Sequence, residues 1–213
     1  MNSNLSAAQS QMVPPARLVQ DITSRYRLSS SSKLLDIGGG EMVTRFRARG
    51  ITAFGVHDGP APPRDPYAAQ PAMIEIPEQQ PALLHQGLPF PAQSFDCVLL
   101  RETKTYAGSL TSPEACTATA NLLASLKPGG ILLWCVPVSR DAFSVHLSCF
   151  PGQSQILTVG RGGIFGALLR VVGIGRNSGQ PAIEFKLPQE PISRLEWHRI
   201  ARNAVMAAQQ PAA

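Results

Sequence analysis

Three glycines follow directly on an apolar run in Leu34-Leu35-Asp36-Ile37-Gly38-Gly39-Gly40, and no other stretch of the chain is as well suited to hold a ligand. A short apolar run that stops at glycines reads as a buried parallel strand entering a tight turn. Glycine lets a bound molecule approach the backbone closely. The helix expected behind the turn points its unpaired N–H groups and positive dipole end at the same space. Asp36 adds a carboxylate just ahead of the turn. A dinucleotide site instead carries its acidic residue after the second strand. In addition, Val43 stands where the third glycine of G-x-G-x-x-G would fall, so a nicotinamide cofactor is disfavoured.

A second group of polar residues, Arg101-Glu102-Thr103, follows the apolar run Cys97 to Leu100. Glu102 is a candidate general base; its alternative is a carboxylate paired with Arg101 or Lys104. Tyr106 and His85 each have a structural reading beside a ligand-binding one. Gly160-Arg161-Gly162-Gly163 has the composition of an anion-binding nest and equally that of a plain loop. Cys97, Cys116, Cys135 and Cys149 form no C-x-x-C pair and the histidines are scattered, so no metal site is expected. The thiols read as buried and reduced, as in a cytoplasmic protein. The net charge of +5 is spread along the chain. Its one local group, Arg45, Arg47 and Arg49, cannot share a single helix face at alternate positions, so nucleic acid is not the expected partner. No run of eighteen apolar residues suggests a transmembrane helix. The first residues, MNSNLSAAQSQMVPP, lack the basic start and apolar block of a secretory signal. Residues 1–15 read as a flexible tail and 16–213 as one domain.

Helices and strands alternate so as to present those residues at one edge. Leu18, Val19 and Ile22 predict a short amphipathic helix over 16–26. After the strand 33–37, the pattern predicts a helix over 41–49 closed by Gly50 and a second strand over 51–56. Seven prolines between Pro60 and Pro81 oppose a crossover helix there, with a short strand expected at 73–76. Further strands are expected at 82–86, 94–100 and 131–138, with a helix over 113–126 stopped by Lys127-Pro128-Gly129-Gly130. Beyond these, the sequence suggests a hairpin over 144–159 around Pro151-Gly152, a helix over 164–172 and a strand over 182–187. A closing helix over 193–209 has Ser193 as its cap. Strands alternating with helices predict an α/β, doubly wound, mostly parallel sheet covered on both faces.

Three segments resemble one family, the class I S-adenosylmethionine-dependent methyltransferases, in particular its small-molecule enzymes. LLDIGGGEM is similar to the family's first motif, LPFPAQSFDCVLL (Leu88 to Leu100) to the approach to its fourth strand, and LLASLKPGGILLWCVPV (Leu122 to Val138) to its following helix, turn and fifth strand. They occur in family order over residues 33–138. The resemblance implies a Rossmann-like fold, S-adenosylmethionine as cofactor and a small-molecule acceptor. It implies that Asp36 and Ile37 orient the amino-acid end of the cofactor, that Gly38, Gly39 and Gly40 form the turn beneath it, and that Gln86, Gly87 and Leu88 lie along the adenine. Arg101, Glu102 and Thr103 would face the methyl group. The ribose position falls on His57, with Asp58 one residue later. Met42 replaces the family's third glycine, no aspartate precedes LPFP, and prolines replace the second crossover helix. These departures support a second reading, a methyltransferase-fold binding or scaffold protein without the reaction.

Overall fold

The computed structural model describes residues 15–38, 40–59, 80–101, 103–135, 140–160 and 179–209. Helix α1 (Pro15–Arg25) buries Leu18, Val19 and Ile22, with proline at the first helical position, where its missing N–H costs nothing. Strand β1 (Lys33–Ile37) is buried from Leu34 onward. It ends at Gly38, whose φ of 122° lies where a side chain is strained. Helix α2 (Gly40–Arg47) begins two residues later. Its end is closed at Gly50, in the left-handed region at φ 78°, with the Gly50 N–H donating to the Arg47 carbonyl at 2.8 Å. Strand β2 (Thr52–Asp58) runs two residues further than the sequence suggests, so that both His57 and Asp58 lie within it.

Seven strands form one sheet in the order β3-β2-β1-β4-β5-β7-β6. Those not yet placed are β3 (Gln80–Ala82), β4 (Phe95–Leu100), β5 (Leu126–Trp134), β6 (Gln153–Val159) and β7 (Gln180–Lys186). β3, β2, β1, β4 and β5 are mutually parallel, β7 is antiparallel to β5, and β6 is antiparallel to β7. The fold class read from the sequence is thus present, and several of its elements are corrected. The third strand occupies 80–82 and pairs with Val56 to Asp58, while residues 84–86 form a turn. The expected hairpin over 144–159 is instead helix α4 (Arg140–Ser148) followed by β6. β5 begins at Leu126, because Lys127 to Gly130 bulge out between the pairs Phe95–Leu126 and Cys97–Ile131. The expected strand at 73–76, the helix at 164–172, the residues 136–138 at the end of the expected fifth strand and the tail 1–14 lie outside the described residues.

Each face of the sheet carries its own apolar layer. Leu34, Cys97, Leu99 and Leu133 meet α1 and α2. Leu35, Ile37, Val98, Leu100 and Leu132 meet helix α3 (Pro113–Ser125), α4 and helix α5 (Arg194–Gln209). The two sets alternate along each strand, as a sheet buried on both faces requires. Ser112 caps α3 by accepting the Ala115 N–H at 3.1 Å, and Pro113 occupies the first turn. The connection 83–94 between β3 and β4 contains only turns. On that side of the sheet Trp197 and Ala201 of α5 join the same core layer as α3, Trp197 facing Phe150 with ring centroids 6.5 Å apart. Arg194, at the start of α5, bonds Asn121 of α3 at 3.5 Å. Cys97, Cys116 and Cys135 are buried free thiols, whereas Cys149 is exposed. Among the described residues no helix is long and apolar enough to cross a membrane.

Candidate functional site

The carboxyl ends of β1, β2 and β4 meet at one edge, the usual ligand edge of an open α/β sheet. Asp36 is fully buried at the end of β1, level with Gly55 of β2 and Leu99 of β4. The chain leaving β4 continues the ladder one residue further, the Arg101 N–H donating to the Ile37 carbonyl at 3.0 Å. This fixes the Arg101 backbone one step past the Ile37–Leu100 pair, within side-chain reach of Asp36. The guanidinium then donates from Nε to Asp36 Oδ1 at 3.0 Å and from Nη2 to Oδ2 at 2.8 Å. Such a two-pronged pair matches the planar fork of arginine to the carboxylate. It also gives the buried carboxylate the partner that a charge in so dry a position requires.

A second carboxylate is held in the same way. Asp58 closes β2 at 5 % exposure and takes three donors from the segment after β4. The Thr103 hydroxyl bonds Oδ2, the Thr105 hydroxyl bonds Oδ1 at 3.0 Å, and the Thr105 N–H bonds Oδ2 at 2.9 Å. His57 points the other way and is exposed, as alternation along a strand dictates. The carboxylate that β2 presents to its neighbours at this edge is therefore that of Asp58.

The remaining expected site residues are distributed as follows. Ile37 is buried in the apolar layer beneath α3. Gly38 forms the turn and Gly40 opens α2; Gly39 and Glu102 lie outside the described residues. Met42, in the family's third-glycine position, is fully buried in the α1–α2 layer. Gln86, Gly87 and Leu88 form a turn after β3, with the N–H groups of Gln86 and Gly87 both directed at the Leu83 carbonyl. Gln86 is exposed, and Leu88 packs on the α3–α5 layer. Gly87 is so close to α5 that a Cβ there would lie 3.0 Å from Arg194 Nη2.

Two neighbours of the site are structural. Cys135 follows β5 and feels both members of the Asp36–Arg101 pair. Burial pushes its thiol up to about 12, so it is no thiolate nucleophile at neutral pH. Tyr106 is buried, its hydroxyl 3.0 Å from Thr119 Oγ1, which is in turn 2.8 Å from His146 Nε2. Its ring packs edge-on against Trp134 with centroids 4.5 Å apart. Sequence reasoning singled out Asp36, Asp58, Arg101 and Thr103 but missed Thr105. The available signal was the alternate spacing of two hydroxyl residues directly after a strand, which lets both side chains reach one neighbour.

The chain matches no family model and no curated protein. It is similar in fold to solved structures. One is the Burkholderia thailandensis 1,6-didemethyltoxoflavin-N1-methyltransferase, solved with its 1,6-didemethyltoxoflavin and S-adenosylhomocysteine. It superposes with a TM-score of 0.51 at 13% identity, over 87% of this chain and 81% of that one. Another is the 4+2 cyclase SpnF, with a TM-score of 0.50 at 16% identity over 82% and 81% of the two chains. The fold is the Rossmann-like class I methyltransferase fold.

Proposed function

We propose that this chain is an S-adenosylmethionine-dependent methyltransferase acting on a small-molecule acceptor. The observation that carries the reading is the pairing of two carboxylates on adjacent strand ends with the Gly38 turn between β1 and α2. Their donor chemistry fits the cofactor. Asp36 suits a cationic α-amino group, and Asp58 suits the two hydroxyls of a ribose, one on each oxygen. A glycine turn suits a close approach of backbone to ligand, and the start of α2 would offer N–H groups to the cofactor's carboxylate. The cofactor supplies an electrophilic methyl on sulfur whose transfer discharges a cation. The chain's own contribution is to hold both partners in line and exclude water, because methyl transfer depends on position more than on acid–base groups. Glu102 is proposed as a base for acceptors that must lose a proton, and Arg101 as a residue facing the cofactor. His57, Gln86, Gly87 and Leu88 are proposed along the nucleoside. Buried thiols at Cys97, Cys116 and Cys135 support a cytoplasmic setting.

Fold alone does not decide the reaction, and the likeness to a protein named as a cyclase makes the point for this architecture. The deciding experiment is calorimetric titration with S-adenosylmethionine and S-adenosylhomocysteine, using the wild type and an Asp36→Asn variant. Micromolar binding that weakens at least tenfold in the variant, whose melting temperature is checked alongside, is the expected result. Absence of heat and of any thermal shift at millimolar ligand would transfer the assignment to the non-catalytic scaffold.

A further inference from the structure

The contacts on Asp36 and Asp58 copy, within the chain, the groups that the proposed cofactor would bring. Asp58 receives one hydroxyl on each carboxylate oxygen, from Thr103 on Oδ2 and Thr105 on Oδ1. This is the donor pattern of a vicinal diol such as the 2′ and 3′ hydroxyls of ribose. Asp36 receives a cation, the Arg101 guanidinium at 2.8 Å, where an α-ammonium group would supply one. All three side chains come from the few residues after β4, so one short stretch satisfies both acidic groups together. Neither contact set is needed to end β4, whose ladder is completed by the backbone bond from Arg101 to Ile37.

We propose that Arg101, Thr103 and Thr105 form an internal latch, a self-ligand that must be exchanged for the cofactor's own ammonium and diol before it binds. The proposal rests on the cofactor reading above. A buried carboxylate stripped of its donors is costly, and these three side chains supply donors at both positions. The unlatched form is then a minor state. Apparent affinity for the cofactor is reduced by the fraction of molecules in that state, so weakening the latch raises affinity.

The test uses S-adenosylhomocysteine as probe. Thr103→Val/Thr105→Val removes both hydroxyls and preserves side-chain shape, and Thr103→Ser/Thr105→Ser retains them. Calorimetry should show the valine variant binding at least tenfold more tightly than wild type, with the serine variant close to wild type. Independently of any variant, hydrogen exchange at the Thr105 amide, which donates to Asp58 at 2.9 Å, should accelerate at least tenfold in the wild-type protein when the probe is saturating. If the valine variant does not fold, this exchange measurement decides alone. Binding to wild type and valine variant with equal affinity, or exchange that is unchanged or slower on binding, overturns the latch and leaves the cofactor reading standing. No binding to either protein at millimolar probe overturns both.

Discussion

At the scale of single residues, the site is governed by how two buried carboxylates are compensated. Asp36 has no exposure and Arg101 little, so the pair is held by geometry in a dry setting and not by surface attraction. Removing one partner of such a pair strands a charge, at a cost of roughly 3–5 kcal/mol, whereas replacing both by apolar groups of similar volume is close to neutral. Arg101→Met is therefore expected to lower the urea midpoint sharply, and Asp36→Leu/Arg101→Met to recover most of the loss. Equal losses in the single and double variants would contradict this account. The sequence marked Asp36 because it stands beside glycines, and Arg101 because it follows an apolar run. It held no trace of their pairing, since residues 65 positions apart are joined only by the register of β1 against β4. Asp58 was read as one residue out of place. A strand two residues longer than its apolar pattern, through Asp58, is what turns that carboxylate towards β4 and the threonines.

At the scale of elements, local chemistry explains both what the sequence disclosed and what it concealed. Helix α3 was legible from its apolar spacing, and the structure adds Ser112 as its cap, followed by a proline preset for helix. Ser112→Ala should cost about 1 kcal/mol in chemical denaturation. Helix α4 was hidden because Pro151-Gly152 resembles a hairpin turn. Its inward pair Phe143 and Leu147 is the four-residue spacing that distinguishes helix from strand over so short a stretch. α4 is joined to α3 by the bond between His146 and Thr119. Burial keeps this imidazole neutral, its pKa lowered from 6.5 to about 4. The unfolded chain therefore binds more protons between those values. Stability is complete above about pH 6.5 and is lost as pH falls towards 4, by at most roughly 3 kcal/mol. His146→Leu should flatten that part of the stability profile measured by urea unfolding at successive pH values. A profile as steep as wild type would assign the acid sensitivity elsewhere.

At the scale of the whole molecule, the parallel half of the sheet was readable from its alternating strands and helices, whereas the reversed strand was not. Strand direction leaves no mark in a run such as Ala182-Ile183-Glu184-Phe185, which is buried whichever way it points. Nor could sequence show that α5 would come to lie on α3, beside strands made far earlier in the chain. That placement ties completion of the core to the last part of the described chain. During synthesis the ribosome releases residues from the amino end first. Helix α3 then emerges well before Trp197 and Ala201 of α5, which complete its apolar layer. The nascent protein must pass through an interval in which this apolar surface is open to chaperones and to aggregation. Its length is set by translation of the intervening residues, so slowing elongation after β5 should lower the soluble yield while leaving the stability of the finished molecule untouched.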